Sequence, residues 1–582
     1  MKDRISQGIR SSSGKGRFLH FLWALVFLCA CATAQTKNLS IIPRDYIPAG
    51  SSGKAYYHFL LSQLHYQSGN LDRAIDQLIQ ATQLDPAAAQ LYTQLASLYL
   101  KKGSAQLALE TAERAVALDP QYAPAHLLLG GLYLSTHQRD KAIASYQRVI
   151  QNDPRNPEAH IFLGTLYAEG KDYEKAIQHF QAIIEIDPQS LMGQYYLARV
   201  YAETKRFEEA KVHYQKALEI RPNFEPALMD LALIYEIQQE NEKAAQIYRE
   251  ILANNPNHAE AHDRLGQVYI RQNKLNEALS ELKAAERLTI HNHEVRTKIG
   301  LIHLEQGQYD EAIAQFNLIL SAQPGNHRVR FYLGTAFEEK KEWDRALEEF
   351  QRIPPSSNLF VESQVHQAYV LEKQNKIDEA IAVLHSAISI KPEQADLYRF
   401  LAGLYEKKEK YDEGIRLLEK ALEFSPRDEK IFFSLGVLYD KSGNWQECIR
   451  QMQKVLEIDP HHAQALNYIG YTYAEKGIHL DEAEAMILKA LSLKPGDGYI
   501  TDSLGWVYFK KGQMDKAVEF LEKAHQLAPE DPVIADHLGD AYLQIRQVEK
   551  ALQMYERAFQ LDPKKIEIQE KIKKLRREKK LP

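Results

Sequence analysis

Prolines recur along the chain at a constant spacing of 34 residues, and this period constrains the fold more than any other feature. They stand at positions 86, 120, 154, 188, 222, 256, 324, 392, 426, 460, 495, 529 and 563, whereas the marks at 290 and 358 carry other residues. One single-residue slip precedes Pro495. A period of this length, held over fifteen units from Ala55 to about Lys565, indicates a repeat protein. The 582 residues therefore form one array of small units rather than several globular domains.

Two small residues and a tyrosine keep a fixed distance from each proline mark. Twelve residues before the mark, alanine occurs in thirteen of the fifteen units, and Gly414 and Cys448 replace it in the other two. A glycine, an alanine or one serine stands 24 residues before the mark, or 25 in the unit with the slip, and tyrosine follows three residues later in eleven units. These spacings place small and large side chains on helical stripes. Each unit is therefore predicted to contain two antiparallel helices that approach closely at the small residues.

The proline at the end of each unit and the glycine in its middle predict a helical hairpin. Proline cannot continue a helix and disfavours helix at the residue before it, so the mark ends the second helix. Turns such as Glu169-Gly170-Lys171 and Lys511-Gly512-Gln513 are expected to end the first helix at glycine.

This pattern resembles the tetratricopeptide repeat (TPR) family, whose 34-residue helix-turn-helix unit carries Gly, Tyr, Ala and Pro at these positions. The resemblance implies an all-α fold, a right-handed α-α superhelical solenoid of about 15 TPR hairpins spanning residues 55–565, with first helices lining a concave face. The basic segment 566–582 is expected to form a capping helix in which Ile568, Ile572 and Leu575 cover the last hairpin.

Two places depart from the regular pattern. Pro354-Pro355-Ser356-Ser357 interrupts the second helix of the ninth unit, and Gln367 stands where other units have Leu or Ile. The junction at residues 354–367 is therefore expected to be the weakest in the array, either as a tolerated irregularity or as a bend between nine and six repeats. The second departure, Gly477-Ile478-His479-Leu480, is interpreted as a one-residue loop insertion.

The first 30 residues have the layout of a secretory signal peptide, with basic residues before an apolar run at 18–28. The sequence Leu28-Cys29-Ala30-Cys31 resembles a bacterial lipobox. This resemblance implies lipidation of Cys31 and, because Ala32 follows it, an outer-membrane lipoprotein facing the periplasm. Residues 31–54 would then be the lipidated N-terminus and a flexible tether. Cleavage after Ala34 would instead give a soluble periplasmic or secreted protein, and an uncleaved segment would leave a membrane anchor.

Several observations argue against catalysis. The residues outside the repeats are too few for a catalytic domain, and the H-E-x-x-H, G-x-S-x-G and G-x-x-x-x-G-K-[ST] motifs are absent from the sequence. The net charge of -6 argues against bulk electrostatic binding of nucleic acid. Histidines 258, 291, 293, 461 and 462 fall at unit junctions and are expected to be exposed polar residues rather than metal ligands. We expect no enzyme activity, cofactor, metal, nucleic acid or small-molecule substrate.

The candidate binding surface lies on the first helix of each unit. By the family resemblance, residues 3 before, 1 after and 4 after the small landmark face the groove, and we call these positions the stripe. Aromatic side chains in a desolvated groove are typical binding hot spots, although each could instead pack as core against the next hairpin. The candidate partner-binding residues are Tyr195, Met229, Phe331, Tyr369, Phe433, Tyr471, Trp506 and Phe509.

The function expected from these features is that of a non-enzymatic scaffold or adaptor, exported and lipid-anchored, which binds partner proteins or peptide segments on the concave face in the cell envelope. The last three units resemble multi-repeat bacterial TPR lipoproteins, a group whose members serve as protease adaptors or as assembly and secretion scaffolds. Two alternatives stay open. One is a component of a polysaccharide or protein secretion apparatus that binds glycan, and the other is a soluble TPR co-chaperone or regulator.

Overall fold

The structure is a computed structural model, and it describes residues 53–289 and 292–578. Every regular element in these ranges is an α-helix. Cys31, the predicted signal peptide and nearly all of the predicted tether lie outside the described residues. Contacts divide the chain into two compact units, residues 1–308 and 309–582.

The first unit contains fifteen described helices. The odd-numbered ones are the first helices of the hairpins, which we call A helices, and the even-numbered ones are the second or B helices. They are α1 Gly53–Gln67, α2 Leu71–Leu84, α3 Ala89–Lys101, α4 Ala105–Leu118, α5 Ala123–Ser135, α6 Arg139–Asn152, α7 Pro157–Glu169, α8 Tyr173–Ile186, α9 Leu191–Glu203, α10 Phe207–Ile220, α11 Glu225–Ile237, α12 Asn241–Asn254, α13 Ala259–Arg271, α14 Leu275–Leu288 and α15 His293–Glu305.

The second unit contains sixteen described helices and keeps the same alternation until the final helix, α31. They are α16 Tyr309–Ala322, α17 His327–Glu339, α18 Trp343–Gln351, α19 Phe360–Lys373, α20 Ile377–Ile390, α21 Ala395–Lys407, α22 Tyr411–Leu422, α23 Glu429–Lys441, α24 Trp445–Ile458, α25 Ala463–Lys476, α26 Leu480–Leu493, α27 Gly498–Lys510, α28 Met514–Leu527, α29 Pro532–Gln544, α30 Val548–Leu561 and α31 Ile566–Glu578. The all-α fold of repeated TPR-like hairpins is thereby confirmed.

The small landmarks lie where A and B helices approach. All thirteen alanines twelve residues before the mark are fully buried, and Cys448 is buried in the same slot. A methyl group added to Gly130 would lie 2.5 Å from the Tyr146 ring, and one added to Gly539 would lie 2.6 Å from the Tyr555 ring. Both contacts are closer than a side chain allows, which explains why these A helices carry glycine.

The described hairpin turns contain a residue with left-handed backbone at the repeat spacing, and the turn with the extra residue contains two, Gly477 and His479. In the turn Glu169-Gly170-Lys171, Gly170 has φ -78° and the left-handed residue is Lys171 at φ 61°. The helix does end at its C-cap Gly170, as predicted, but the left-handed position comes one residue later. In the second turn the left-handed residue is the glycine itself, Gly512, at φ 75°. Non-glycine residues accept this conformation at a cost of about 1–2 kcal/mol.

Polar side chains tie the repeats together at two recurring positions. The residue six after the proline often donates to the carbonyl oxygen of that proline, as Nε2 of His160 does to Pro154 at 3.0 Å. The landmark tyrosine reaches the preceding repeat: the Tyr133 hydroxyl donates to Oε1 of Glu113 at 2.9 Å. Burial and this carboxylate raise the pKa of Tyr133 to about 12. The tyrosines therefore link hairpins as well as filling space.

The irregular ninth repeat is shortened in the structure. Its B helix, α18, has nine residues and ends before Pro354, and Ile353 and Phe360 are buried on either side of the turn. Gln367 is buried, and its Nε2 has no hydrogen-bond partner. This junction lies inside the second unit. Its role as a bend stays a prediction.

Candidate partner-binding site

An open groove of about 460 Å³ runs across the A helices α23, α25, α27 and α29 of the second unit. We call it the C-terminal groove. Three tyrosines line its walls: Tyr468, Tyr471 and the exposed Tyr499. The remaining lining residues are mostly polar, and they are Asp440, Asn467, Thr472, Glu475, Lys476, Asp502, Ser503, Asp531, Val533 and Ile534. The groove arises because successive A helices present their stripes side by side, as Asp440, Asn467, Tyr471 and Asp502 do.

Hydrogen bonds between neighbouring A helices fix the walls of this groove. The Tyr468 hydroxyl donates to Oδ2 of Asp440 at 2.9 Å, and the Trp506 indole N–H donates to Oε1 of Glu475. Nδ1 of His537 lies 3.0 Å from Oδ2 of Asp502. Since each bond joins residues of different repeats, the polar surface is held in one arrangement.

Aromatic stacking supports the groove from below. The His537 ring stacks on Trp506 with centroids 4.0 Å apart, and the Phe509 ring stacks on Trp506 with centroids 4.7 Å apart. Trp506 is 6% exposed, so it forms the foundation of the groove rather than its surface. Tyr471, in contrast, is only partly buried and lines the groove.

The groove perturbs its titratable groups. Burial, followed by the charge of Glu475, raises the pKa of Tyr471 above its ordinary value. Burial lowers the pKa of His537, but the Asp502 carboxylate outweighs burial and the net pKa is raised. His537 therefore favours the protonated form beside Asp502.

Asp502, His537 and Ser503 invite comparison with a hydrolytic triad. A triad requires the hydroxyl to hydrogen-bond the imidazole. Here the Ser503 hydroxyl donates to the carbonyl oxygen of Tyr499 at 3.0 Å, and His537 packs flat on Trp506. The three side chains therefore form parts of the groove wall rather than a nucleophilic site.

A second, smaller groove of about 270 Å³ lies between α19 and α21 of the same unit. Tyr369 and Phe400 form its exposed apolar wall, at 42% and 46% exposure. Glu372 and Lys407, which form an ion pair, border it. The carboxylate of Glu372 is thus neutralised within the chain.

The other sequence-predicted contact residues are more enclosed. Tyr195 is 5% exposed and packs edge-on against Phe224 at 5.2 Å, so it is core. Met229 is partly buried against the cluster around α11 to α13. Phe331 is partly buried, with its ring edge-on to His366 at 5.2 Å. Phe433 packs edge-on to Tyr468 and so connects to the C-terminal groove.

The structure therefore brings Phe433, Tyr471, Trp506 and Phe509 into one cluster and leaves Tyr195, Met229, Phe331 and Tyr369 elsewhere. Sequence reasoning missed the acidic members of the groove. Asp440 and Asp502 stand on the predicted stripe, so the stripe itself was the available signal. Glu475 and His537 lie one position away from the stripe, so their contribution to the groove and its supporting contacts is seen only in the structure.

Two of the junction histidines, His258 and His462, accept hydrogen bonds from backbone N–H groups. Nδ1 of His258 accepts from the Ala261 N–H, and Nδ1 of His462 accepts from the Ala465 N–H, both at 3.1 Å. These side chains cap helix N-termini. Within residues 53–289 and 292–578, no three His, Cys, Asp or Glu side chains are grouped to hold a metal ion. None of the helices in those ranges has the length and apolar character needed to span a bilayer.

Comparison with known proteins identifies the repeats. Patterns described as tetratricopeptide repeat match three segments at residues 59–123, 127–190 and 297–358. Further patterns of the same description match at 166–234, 201–262, 236–289, 371–432, 508–575 and 429–462. Together they cover most of the chain.

The chain is also similar to individual proteins. A TPR repeat-containing protein of Pseudomonas aeruginosa is 42% identical over 48 residues, which is 8% of this chain and 8% of that protein. A tetratricopeptide repeat protein from Parabacteroides merdae is 19% identical, with a TM-score of 0.34, over 43% of this chain and 99% of its own. Yeast Tom70 is 16% identical, with a TM-score of 0.36, over 73% and 96%.

Proposed function

The chain belongs to the tetratricopeptide repeat family, and from this premise we propose that it is a scaffold that binds segments of partner proteins in the C-terminal groove. Membership of this family supports a role in protein–protein interaction. The proposed location of the binding site rests on the open groove of about 460 Å³ across four A helices. Its hydrogen-bonded walls and the tyrosines that line them suit an extended segment, because ordered aromatic side chains bind at low entropic cost.

We further propose that the scaffold is exported and anchored by a lipid on Cys31 in the outer membrane, facing the periplasm. The lipobox-like sequence around Cys31 supports this proposal. Mass spectrometry of the mature N-terminus in the native host tests it. A diacylated Cys31 as first residue is expected. Gln35 as first residue would convert the protein to a soluble exported one, and an intact Met1 would remove export altogether.

Binding in the groove is tested with a variant that truncates two tyrosines that line it, Tyr471 and Tyr499, and Phe433, which packs against the lining residue Tyr468. Phe433→Ala/Tyr471→Ala/Tyr499→Ala should lose the envelope proteins that co-purify with the wild type, quantified after crosslinking. Trp506 is left intact because it is buried, and its loss would disturb the fold. The matched control, Leu318→Ala/Leu488→Ala, removes exposed apolar side chains from B helices and should retain the partners.

The outcomes separate the candidate functions. Identical partner sets for wild type and groove variant would contradict the assignment of the groove. The polysaccharide alternative, in which the tyrosines stack on sugar rings, would be favoured by a different result. In that case the wild type binds glycans on an array, the groove variant loses this binding, and no protein partner is recovered.

A further inference from the structure

We propose that the C-terminal groove recognises a positively charged side chain, lysine or arginine, within the partner segment. This inference rests on the proposed function and specifies the chemistry of the ligand. The described lining residues include four acids, Asp440, Glu475, Asp502 and Asp531, and one ammonium group, that of Lys476. Asp502 is paired with His537, which leaves Asp440 and Glu475 as the central acids of the argument.

At two other junctions, where an acid precedes it as Asp440 does here, the chain supplies a cation at the position that Glu475 occupies. An acid four residues after the small landmark of one A helix pairs with a cation five residues after the landmark of the next. Glu236 pairs with Arg271 at 2.6 Å in this way, and Glu372 pairs with Lys407. In the C-terminal groove the first position is Asp440 and the second is Glu475. The site therefore carries two acids where other repeats carry an ion pair.

The local hydrogen bonds leave this negative charge in place. Asp440 and Glu475 accept from the neutral donors of Tyr468 and Trp506, respectively. Neutral donors orient a carboxylate without cancelling its charge, and charge-assisted hydrogen bonds from a cation are stronger. The two acids are therefore oriented towards a cationic partner.

The last repeat shows how the fold accommodates a lysine between such groups. Nζ of Lys571, on α31, lies 2.8 Å from Asp536 and 2.7 Å from Asp540. The same ammonium lies 5.1 Å from the centroid of the Tyr555 ring, and the Tyr555 hydroxyl donates to Asp540. In this case both acids lie on one A helix and the tyrosine on the B helix, whereas Asp440, Tyr468 and Glu475 lie on neighbouring A helices. The last repeat is therefore an example of a lysine held between two carboxylates beside a tyrosine ring.

A peptide selection tests the proposal directly. A phage-displayed library of random dodecapeptides is selected on the purified full chain, and selected peptides are synthesised with a fluorophore for anisotropy. The expected peptides are enriched in lysine and arginine, and their binding weakens as salt rises because exposed charges are screened. Replacing their cationic residues with glutamine should weaken binding at least about tenfold.

Substitutions at Glu475 provide the sharpest comparison. Glu475→Gln retains an acceptor for Trp506 and should weaken binding several-fold. Glu475→Lys supplies the internal cation found in other repeats and should abolish it. Glu457→Lys makes the same charge change at an exposed position of the B helix α24 and should leave the Kd within about twofold, since it lies outside the groove.

Each outcome supports or overturns the proposal. Cationic peptides that bind the Glu475 variants and wild type equally would overturn it. Neutral or acidic peptides that depend on Phe433 and Tyr471 would also overturn it, while leaving the scaffold function intact. Failure to select any groove-dependent peptide would count against both.

Discussion

The A helices of the first unit and those of the C-terminal groove handle their acidic residues differently. In the first unit, Asp263 pairs with Lys298 at 2.7 Å and Glu236 pairs with Arg271, so the chain neutralises its own acids. In the C-terminal groove of the second unit, Asp440 and Glu475 accept only from neutral donors. The landmarks of the repeat are the same in both regions.

This difference separates the residues that make the fold from those that set its binding chemistry. The landmarks fix where helices approach, while the stripe and the positions beside it decide whether a surface is closed by internal ion pairs or left charged. Removing one partner of a buried pair leaves an uncompensated charge, whereas an unneutralised pair of acids is available to a ligand.

The largest expected effect comes from breaking an internal pair of the first unit. Lys298 is 2% exposed, and Lys298→Met leaves Asp263 without its cation in a partly buried site. We expect local destabilisation of about 3 kcal/mol, measured by hydrogen exchange of α13 to α15. Lys298→Met/Asp263→Leu removes both charges and should recover most of the loss. An equal loss in the double variant would mean that packing, not the charge pair, stabilises this region.

The next largest loss of stability is expected from substitutions at the landmark glycines, and this loss should be equal in both units. Gly130→Ala and Gly539→Ala each drive a methyl group into a tyrosine ring of the B helix, at 2.5 and 2.6 Å. We expect about 1–3 kcal/mol of destabilisation in each case. The control Gly131→Ala, whose methyl group meets its nearest neighbour at 3.9 Å, should stabilise α5 through helix propensity. Unequal costs at Gly130 and Gly539 would show that the units differ in packing too.

The landmark residues also explain which parts of the fold could be predicted from the sequence. The period and the small residues were sufficient to predict the hairpins, because close helix approach admits only small side chains, as at Gly130. The left-handed turn residue Lys171 was missed because nearly any residue can occupy that position. Tyr195 and Trp506 could not be classed as core or surface from spacing alone, since their burial depends on rings in neighbouring repeats such as Phe224.

A smaller effect, of opposite sign, is expected at the irregular junction of the second unit. Gln367 buries an amide nitrogen that has no hydrogen-bond partner. Gln367→Leu removes this unpaired donor and restores the residue type of the other repeats, so we expect stabilisation of about 1 kcal/mol. Hydrogen exchange at residues 354–367, expected to open first in the wild type, should slow in the variant. Uniform protection of the wild type through this segment would contradict a weak junction.

Two histidines should give the units opposite responses to pH. Burial, then His160, lowers the pKa of His179 to about 4, so its contribution is present above the unfolded pKa of about 6.5 and is lost as pH falls towards 4. The pKa of His537 is raised against burial by Asp502, with Asp536 and Glu475 nearby, so its contribution is complete below about 6.5 and is lost as pH rises through the raised pKa.

Hydrogen exchange corrected for intrinsic rates measures this contrast between pH 4.5 and 8.5. Acidification should weaken protection of α7 and α8 relative to a His179→Gln variant, whereas alkalinisation should weaken α27 and α29 relative to a His537→Gln variant. If protection at both sites weakened in the same direction of pH change, the predicted contrast between the two histidines would be wrong.

The smallest effect is expected at the surface ion pairs that join consecutive hairpins in both units. Lys102 lies 2.6 Å from Asp72 in the first unit, and Lys408 pairs with Asp378 in the second, both at a sequence separation of 30 residues. These side chains are largely solvated, so their attraction is offset by hydration and side-chain entropy. Lys102→Met and Lys408→Met should therefore leave hydrogen exchange of the adjoining helices unchanged within error. A clear loss of protection in only one unit would mean that surface pairs, and not the buried pair at Lys298, distinguish the stability of the two regions.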